Sequence, residues 1–187
     1  KGDDRIDVPP TLISFAVATG KISDVGVNMF QKPDSKVIHL PAPINTATNT
    51  PDWEKLMTTW GRVQALVHDK TALSCQSIKK GGVAGALSEM CFGNDIGLDI
   101  ASSDLSAPDW FAPRYGSFIM EFPAETDVSG LLNGLDYREL GTTKVKPEIT
   151  LPGNNKIPLQ DLSQKWRSVL DNIYPRTSDQ TSTKKAG

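Results

Sequence analysis

Six short apolar runs recur along the chain, each closed by Gly, Pro, Asp or Asn: TLISFAV (11–17), KVIHL (36–40), TALSCQS (71–77), IGLDI (96–100), GSFIMEF (116–122) and PEITL (147–151). Short runs rich in β-branched and aromatic residues, bounded by turn formers, are strand signals. They predict a sheet of about five or six strands, with a weaker signal at YRELGTT (137–143).

Between these runs the apolar spacing lengthens to that of a helix. Thr50 reads as an N-cap, with Pro51 at the first helical position and Asp52 and Glu54 in the positive first turn. Trp53, Leu56, Met57, Trp60, Val63 and Val67 then form one stripe that is expected to be buried. A second helix begins near Gly82 and places Val83, Ala86, Leu87, Met90 and Cys91 on one face, so Cys91 reads as core. A third starts near Pro158 and carries Leu159, Leu162, Trp166, Val169, Leu170 and Ile173. It is expected to pack its tryptophan on the sheet. Strands alternating with helices of this length predict an α+β fold, an α/β sandwich in which helices cover a mixed β-sheet.

Composition narrows the functional classes. A chain of 187 residues suits one domain with a real core, here 11–175, with 1–10 as a linker and 176–187 as a polar tail. The net charge of -2, with basic residues scattered among acids, argues against a general nucleic-acid or polyanion binder, so any anion site must be local. Two cysteines, Cys75 and Cys91, make neither a disulfide framework nor a C-x-x-C pair and suggest a reduced, cytoplasmic setting. No apolar run approaches the roughly 20 residues of a membrane span, and KGDDRIDVPP has no signal-peptide core.

Most candidate chemistry weakens residue by residue. His39, in a strand run, and His68, near a helix end, lack the ligand-spaced neighbours of a zinc site, and both read as structural. There is no G-x-S-x-G elbow, and neither cysteine has an activating context. Asp95, Asp99 and Asp104 follow a turn and read as solvated, whereas Trp110, in the proline-rich APDWFAPRYG, is a candidate contact residue.

The stretch SIKKGG (77–82) is different. An apolar strand ends near Ser77, and Gly81 and Gly82 open a helix. The free N–H groups and dipole of a helix start attract anions, glycine permits close approach, and Lys79 and Lys80 add charge. The spacing fits a phosphate cradle without being the G-x-x-x-x-G-K-[ST] loop. A glycine pair at a strand-helix junction is more often a turn and close-packing device. The pattern alone leaves both readings open.

Taken in order, TLISFAVATGKISDVGVNMF, KKGGVAGALSEMCFGNDIGLDI, APRYGSFIMEF and RELGTT resemble the C-terminal AIR-synthase-type domain of phosphoribosylformylglycinamidine synthase. The resemblance covers most of 10–175, and GGVAGALSEMCFGNDIGLDI is its most specific part. The closing LSQKWRSVLDNIYP is similar to the helix that precedes the glutaminase part of single-chain members, which suggests the second such domain of a long synthase.

The resemblance implies an ATP-using ligase that makes formylglycinamidine ribonucleotide from formylglycinamide ribonucleotide and glutamine. Its ATP and Mg residues would lie mainly in an upstream domain and its glutamine-attacking cysteine in a downstream glutaminase domain. This domain alone is then expected to bind no cofactor and to be inactive. By position, contact with substrate phosphate maps onto Ser77, Lys79, Lys80, Gly81 and Gly82. One departure stands out: many members carry His-Asp and then Ser-Asp before the glycines, where this chain has Gln76, Ser77, Lys79 and Lys80. A loop without those acids suits phosphate holding and not acid or metal chemistry. Because such enzymes contain two similar halves, of which one carries the working site, the loop of a second half would be structural or would serve a nonreactive nucleotide pocket. Two alternatives remain beside this family: another AIR-synthase-like ATP-using enzyme, of the selenophosphate-synthase, thiamine-phosphate-kinase or hydrogenase-maturation kind, and a noncatalytic interaction module.

Overall fold

The computed structural model describes residues 9–101, 105–171 and 173. The expected tail at 176–187, most of the linker at 1–10, and Asp104 lie outside them. In chain order the elements are β1 (Lys36–Leu40), β2 (Ile44–Asn45), β3 (Thr50–Pro51), α1 (Trp53–His68), β4 (Ser74–Ser77), α2 (Gly82–Phe92) and β5 (Gly97–Ile100). There follow α3 (Ala107–Phe111), β6 (Phe118–Phe122), α4 (Val128–Leu131), β7 (Arg138–Lys144), β8 (Glu148–Leu151), β9 (Asn155–Pro158) and α5 (Leu159–Ser168).

Seven strands form one sheet in the order β4-β6-β1-β7-β5-β8-β9, mixed because β5 and β8 run parallel and the other neighbours antiparallel. Side chains alternate across a strand, so β1 and β6 feed two cores at once. Val37 and Ile119 face α2, joining Val83, Ala86, Leu87, Met90 and Cys91. Ile38, Leu40, Met120 and Phe122 face α1, joining Val63 and Leu66. The fold is therefore the expected α+β sandwich. Five strand runs and the weaker signal at 137–143 became strands, most trimmed by one to three residues at the N-terminal end. β9 and the short β2–β3 pair had no apolar signal.

Four expectations are corrected. The run at 11–17 is not a strand; Leu12 and Val17 are 97% and 94% exposed. A strand needs a ladder partner, and the outer edge of β4 is already met by Val27, whose carbonyl accepts the Cys75 N–H. The first helix is capped by Asp52, whose carboxylate accepts the Lys55 N–H, because Thr50 and Pro51 are held in β3 against Asn45 and Ile44. Its buried face is Leu56, Thr59, Val63 and Leu66, rotated away from Trp53, Met57 and Trp60. Thr59 joins that face because its hydroxyl is satisfied by the Lys55 carbonyl. The third helix packs Leu159 in the core, but Trp166 lies against Phe92 of α2, ring centroids 5.8 Å apart, and is 57% exposed. The helix touches α2 and β9 and so lies beside the sheet's far edge, not over its centre.

Glu121 of β6 is fully buried and carries a dense set of hydrogen bonds. Its carboxylate accepts the N–H of Gln31 at 2.8 and 3.1 Å, the N–H of Lys32 at 3.0 Å and the Ser74 hydroxyl at 2.7 Å. Replacing it by alanine leaves the buried Ser74 hydroxyl and the partly buried Gln31 and Lys32 N–H groups without their acceptor. Glu121→Ala is expected to lower unfolding free energy by roughly 3 kcal/mol or more, checked by urea denaturation.

Candidate functional site

The strand-loop-helix junction forms as its residue types dictate. Gly81, at φ +90°, takes the left-handed conformation that turns the chain out of β4, and Gly82 follows at φ +64°. Gly82 N–H closes back on the Lys79 carbonyl at 3.2 Å, and Gly85 N–H on that of Gly81 at 2.9 Å. Lys79, Lys80 and Gly81 are exposed, Ser77 is half-buried and Gly82 is buried. The structure thus brings all five predicted residues to one end of the sheet. Lys79 and Lys80 have no ion-pair partner among the described residues.

Gly82 also answers to packing. A Cβ there would lie 2.5 Å from the Trp110 carbonyl oxygen and 2.8 Å from that of Ala112, so the end of α3 rests directly on the helix start. Trp110, expected to be a contact residue in a loop, is half-buried in α3 and packs against the α2 core. A Cβ on Gly81 would meet only ordinary contacts, the nearest at 3.5 Å. Gly82→Ala is therefore expected to destabilise by about 2 kcal/mol or more and Gly81→Ala by about 1 kcal/mol, a difference measurable by thermal unfolding of the two variants.

The residues past α3 turn toward a second feature that the sequence pattern did not mark. A cavity of about 390 Å³ opens at the end of β1, lined by His39, Asp109, Arg114, Tyr115, Ser117 and Arg138 among others. His39 pairs in register with Ile119 of β6 and Arg138 of β7, which fixes it on the α2 side of the sheet. It is 3% exposed, and neither ring nitrogen has a hydrogen-bond partner among the described residues. A core histidine is ordinarily satisfied, so this one departs from its structural reading. Burial, assisted by the positive charges of Arg138 and Arg114, pushes its pKa from 6.5 down to about 4. On the wall the Asp109 carboxylate accepts from the Arg114 guanidinium and, from behind the lining, at 2.6 Å from the Ser106 hydroxyl. The Ser106 bond and then Arg114 hold the Asp109 pKa below its usual range.

The remaining sequence candidates separate from both features. His68 is exposed and hydrogen-bonded to Asp69 at 2.9 Å, which raises its pKa. Asp99 is not simply solvated: Lys144 binds it at 2.6 Å and is the main cause of its lowered pKa. Burial raises both thiols to about 12, so neither cysteine is an activated nucleophile. Among the described residues no group of three or more His, Cys, Asp or Glu is placed to hold a metal, and no helix is long and apolar enough to cross a membrane.

No protein-family model matches the sequence, and no curated protein matches it. Solved structures do. Phosphoribosylformylglycinamidine synthase II from Thermotoga maritima is similar at TM-score 0.59 and 12% identity, over 76% of this chain and 28% of the synthase. The fold is AIR-synthase-like. T. maritima PurL complexed with FGAR is similar at TM-score 0.59 and 12% identity, over 76% of this chain and 30% of that one. Hydrogenase maturation protein HypE in complex with ATP gives 0.51 and 11%, over 74% and 54%. This chain thus spans less than a third of the synthase chains it matches. The AIR-synthase-like fold is what these likenesses establish.

The histidine gives the site a pH signature. Between pH 6.5 and about 4 the unfolded chain holds a proton that folded His39 does not, so stability falls as pH falls through that window. The full loss attributable to this group is about 3 kcal/mol. His39→Gln is expected to flatten the pH dependence of urea unfolding between pH 6.5 and 4 relative to the unaltered protein.

Proposed function

We propose that this chain is a substrate-side scaffold domain of an ATP-dependent carbon-nitrogen ligase of purine biosynthesis, one that makes formylglycinamidine ribonucleotide with glutamine as amide donor. In this reading it works in the cytoplasm beside an upstream ATP-binding AIR-synthase-type domain and a downstream glutaminase domain. The loop of Ser77, Lys79, Lys80, Gly81 and Gly82 contacts the ribonucleotide phosphate. ATP and Mg act in the complete enzyme and engage the upstream domain, so the scaffold alone performs no reaction.

The observation that carries the reading is the likeness in fold, across 76% of this chain, to a synthase solved with FGAR, with ATP and with ADP. The loop itself adds support: two lysines with no ion-pair partner among the described residues precede a left-handed glycine at the start of an eleven-residue helix, an arrangement that favours an anion. A second reading, the C-terminal domain of a different AIR-synthase-like ATP-using enzyme, is favoured by the likeness to HypE in complex with ATP. The packing of Gly82 under α3 favours a third, in which the glycine pair is turn chemistry in an interaction module.

Titration with formylglycinamide ribonucleotide and separately with ADP, read by backbone amide NMR shifts at several salt concentrations, distinguishes them. Saturable shifts centred on 77–83 with the ribonucleotide are expected, lost in a Lys79→Glu, Lys80→Glu variant. Shifts with ADP alone would favour the second reading. Silence with both ligands, repeated in a protein that includes the upstream domain, would leave the loop a turn.

A further inference from the structure

The cavity at the end of β1 is a separate place from the glycine loop, and its chemistry converges on one kind of ligand. His39, at its base, is the buried side chain whose polar atoms find no partner among the described residues. Ser117 stands beside it, 1% exposed; its oxygen accepts the Ala42 N–H at 2.8 Å, while its own proton meets no acceptor among the described residues. Around these two neutral groups stand Arg114 and Arg138, with the Tyr115 side chain on the same lining. Asp109 is paired with Arg114, and Arg138 has no ion-pair partner among the described residues. Two guanidinium groups against one carboxylate leave one positive charge in excess.

That arrangement selects among ligand classes. A cation meets net repulsion and finds a single carboxylate already engaged. An apolar molecule would strip water from guanidinium groups and offer His39 nothing. An oxyanion engages every open donor, because arginine presents paired donors to phosphate and carboxylate alike. Neutral imidazole supplies one further N–H and the serine one further O–H. These donors outnumber what the two oxygens of a carboxylate use well and suit the three terminal oxygens of a phosphate monoester. The volume of about 390 Å³ accommodates a small organic portion beyond the phosphate.

We propose that this cavity binds the phosphate group of a small phosphate monoester, with Arg138 and Arg114 as its charge partners and the Ser117 hydroxyl and His39 imidazole as neutral donors. The assignment does not rest on the synthase reading. It uses none of the residues of the glycine loop.

The chain has two histidines, and exposed His68 is an internal control for His39. Imidazole NMR resonances of the full chain are followed during titration with ribose 5-phosphate, inorganic phosphate, acetate and ribose at constant ionic strength. His39 is identified by the signal lost in His39→Gln. Saturable movement of His39 with ribose 5-phosphate and inorganic phosphate, absent with ribose and weaker with acetate, is expected. Arg138→Gln is expected to weaken it about tenfold or more, since it removes a charge-assisted donor pair. Lys79→Glu, Lys80→Glu is expected to leave it unchanged. If Arg138→Gln loses amide dispersion, Arg114→Gln carries the same comparison. A stationary His39 with every ligand overturns the proposal, as does equal affinity for acetate or insensitivity to the folded arginine variant. Shifts at 77–83 with a stationary His39 would overturn it while leaving the loop reading standing; the reverse pattern supports it while removing the loop reading.

Discussion

The carboxylate of Glu121 is the constraint from which the arrangement of this fold follows. It sits on the α2 face of β6 at zero exposure and receives donors from Gln31, Lys32 and Ser74. It therefore binds three elements: the segment entering β1, the edge strand β4, and its own strand. A buried carboxylate without such donors would be prohibitively costly, so the entry segment is held where its N–H groups are needed. Phe30, next to that segment, donates to the Met90 carbonyl of α2, and Asn94 donates to the Phe30 carbonyl. The position of the end of α2 is set by the same residues that satisfy the acid.

The start of α2 is set independently, by the close approach of the Trp110 and Ala112 carbonyls to Gly82. Fixing both ends leaves the helix over Val37 and Ile119. Two residues beyond Val37 on the same face comes His39, where the helix gives way to the turn carrying Pro113, Arg114 and Tyr115. The cavity is thus a consequence of where α2 begins. One segment, 110–117, closes over the glycine loop on one side and forms the cavity wall on the other.

The elements were legible in the sequence where one local rule decided them. Apolar runs between turn formers marked five strands and a weaker signal a sixth, and strict helical spacing named every buried side chain of α2. The failures arose where tertiary contacts arbitrated. Trp53 and Trp60 outweigh Thr59 on any hydrophobic scale, yet the threonine is inside because its hydroxyl bonds its own helix, while Trp60 stays at the rim with its Nε1–H on the Gly116 carbonyl. The run at 11–17 has strand composition, but composition cannot supply a partner edge. In the site, the glycine pair was visible because glycine announces backbone geometry. His39 was not visible as unusual, because its oddity is an absence of partners, and the arginines that line the cavity with it lie 75 and 99 positions downstream (Arg114 and Arg138). Only an alternating strand context and two distant guanidinium groups could have hinted at it.

The two cationic features differ in what they can do for an anion. Lys79 and Lys80 are exposed point charges on flexible stems, so their attraction is screened by salt within about 10 Å and each contact is worth little on its own. They serve to draw an anion toward this end of the sheet. Arg114 and Arg138 are exposed but stand beside an imidazole that is 3% exposed, whose pKa is lowered to about 4 by its own burial and by their charges. At the buried His39 and Ser117 a hydrogen bond is stronger than at the surface, and a misplaced one is more costly. Discrimination between one anion and another therefore belongs to the cavity, whatever the loop contributes to its arrival. The neutrality of His39 is part of that discrimination: a third cation would favour any anion, whereas an uncharged donor rewards only an oxygen placed to receive it.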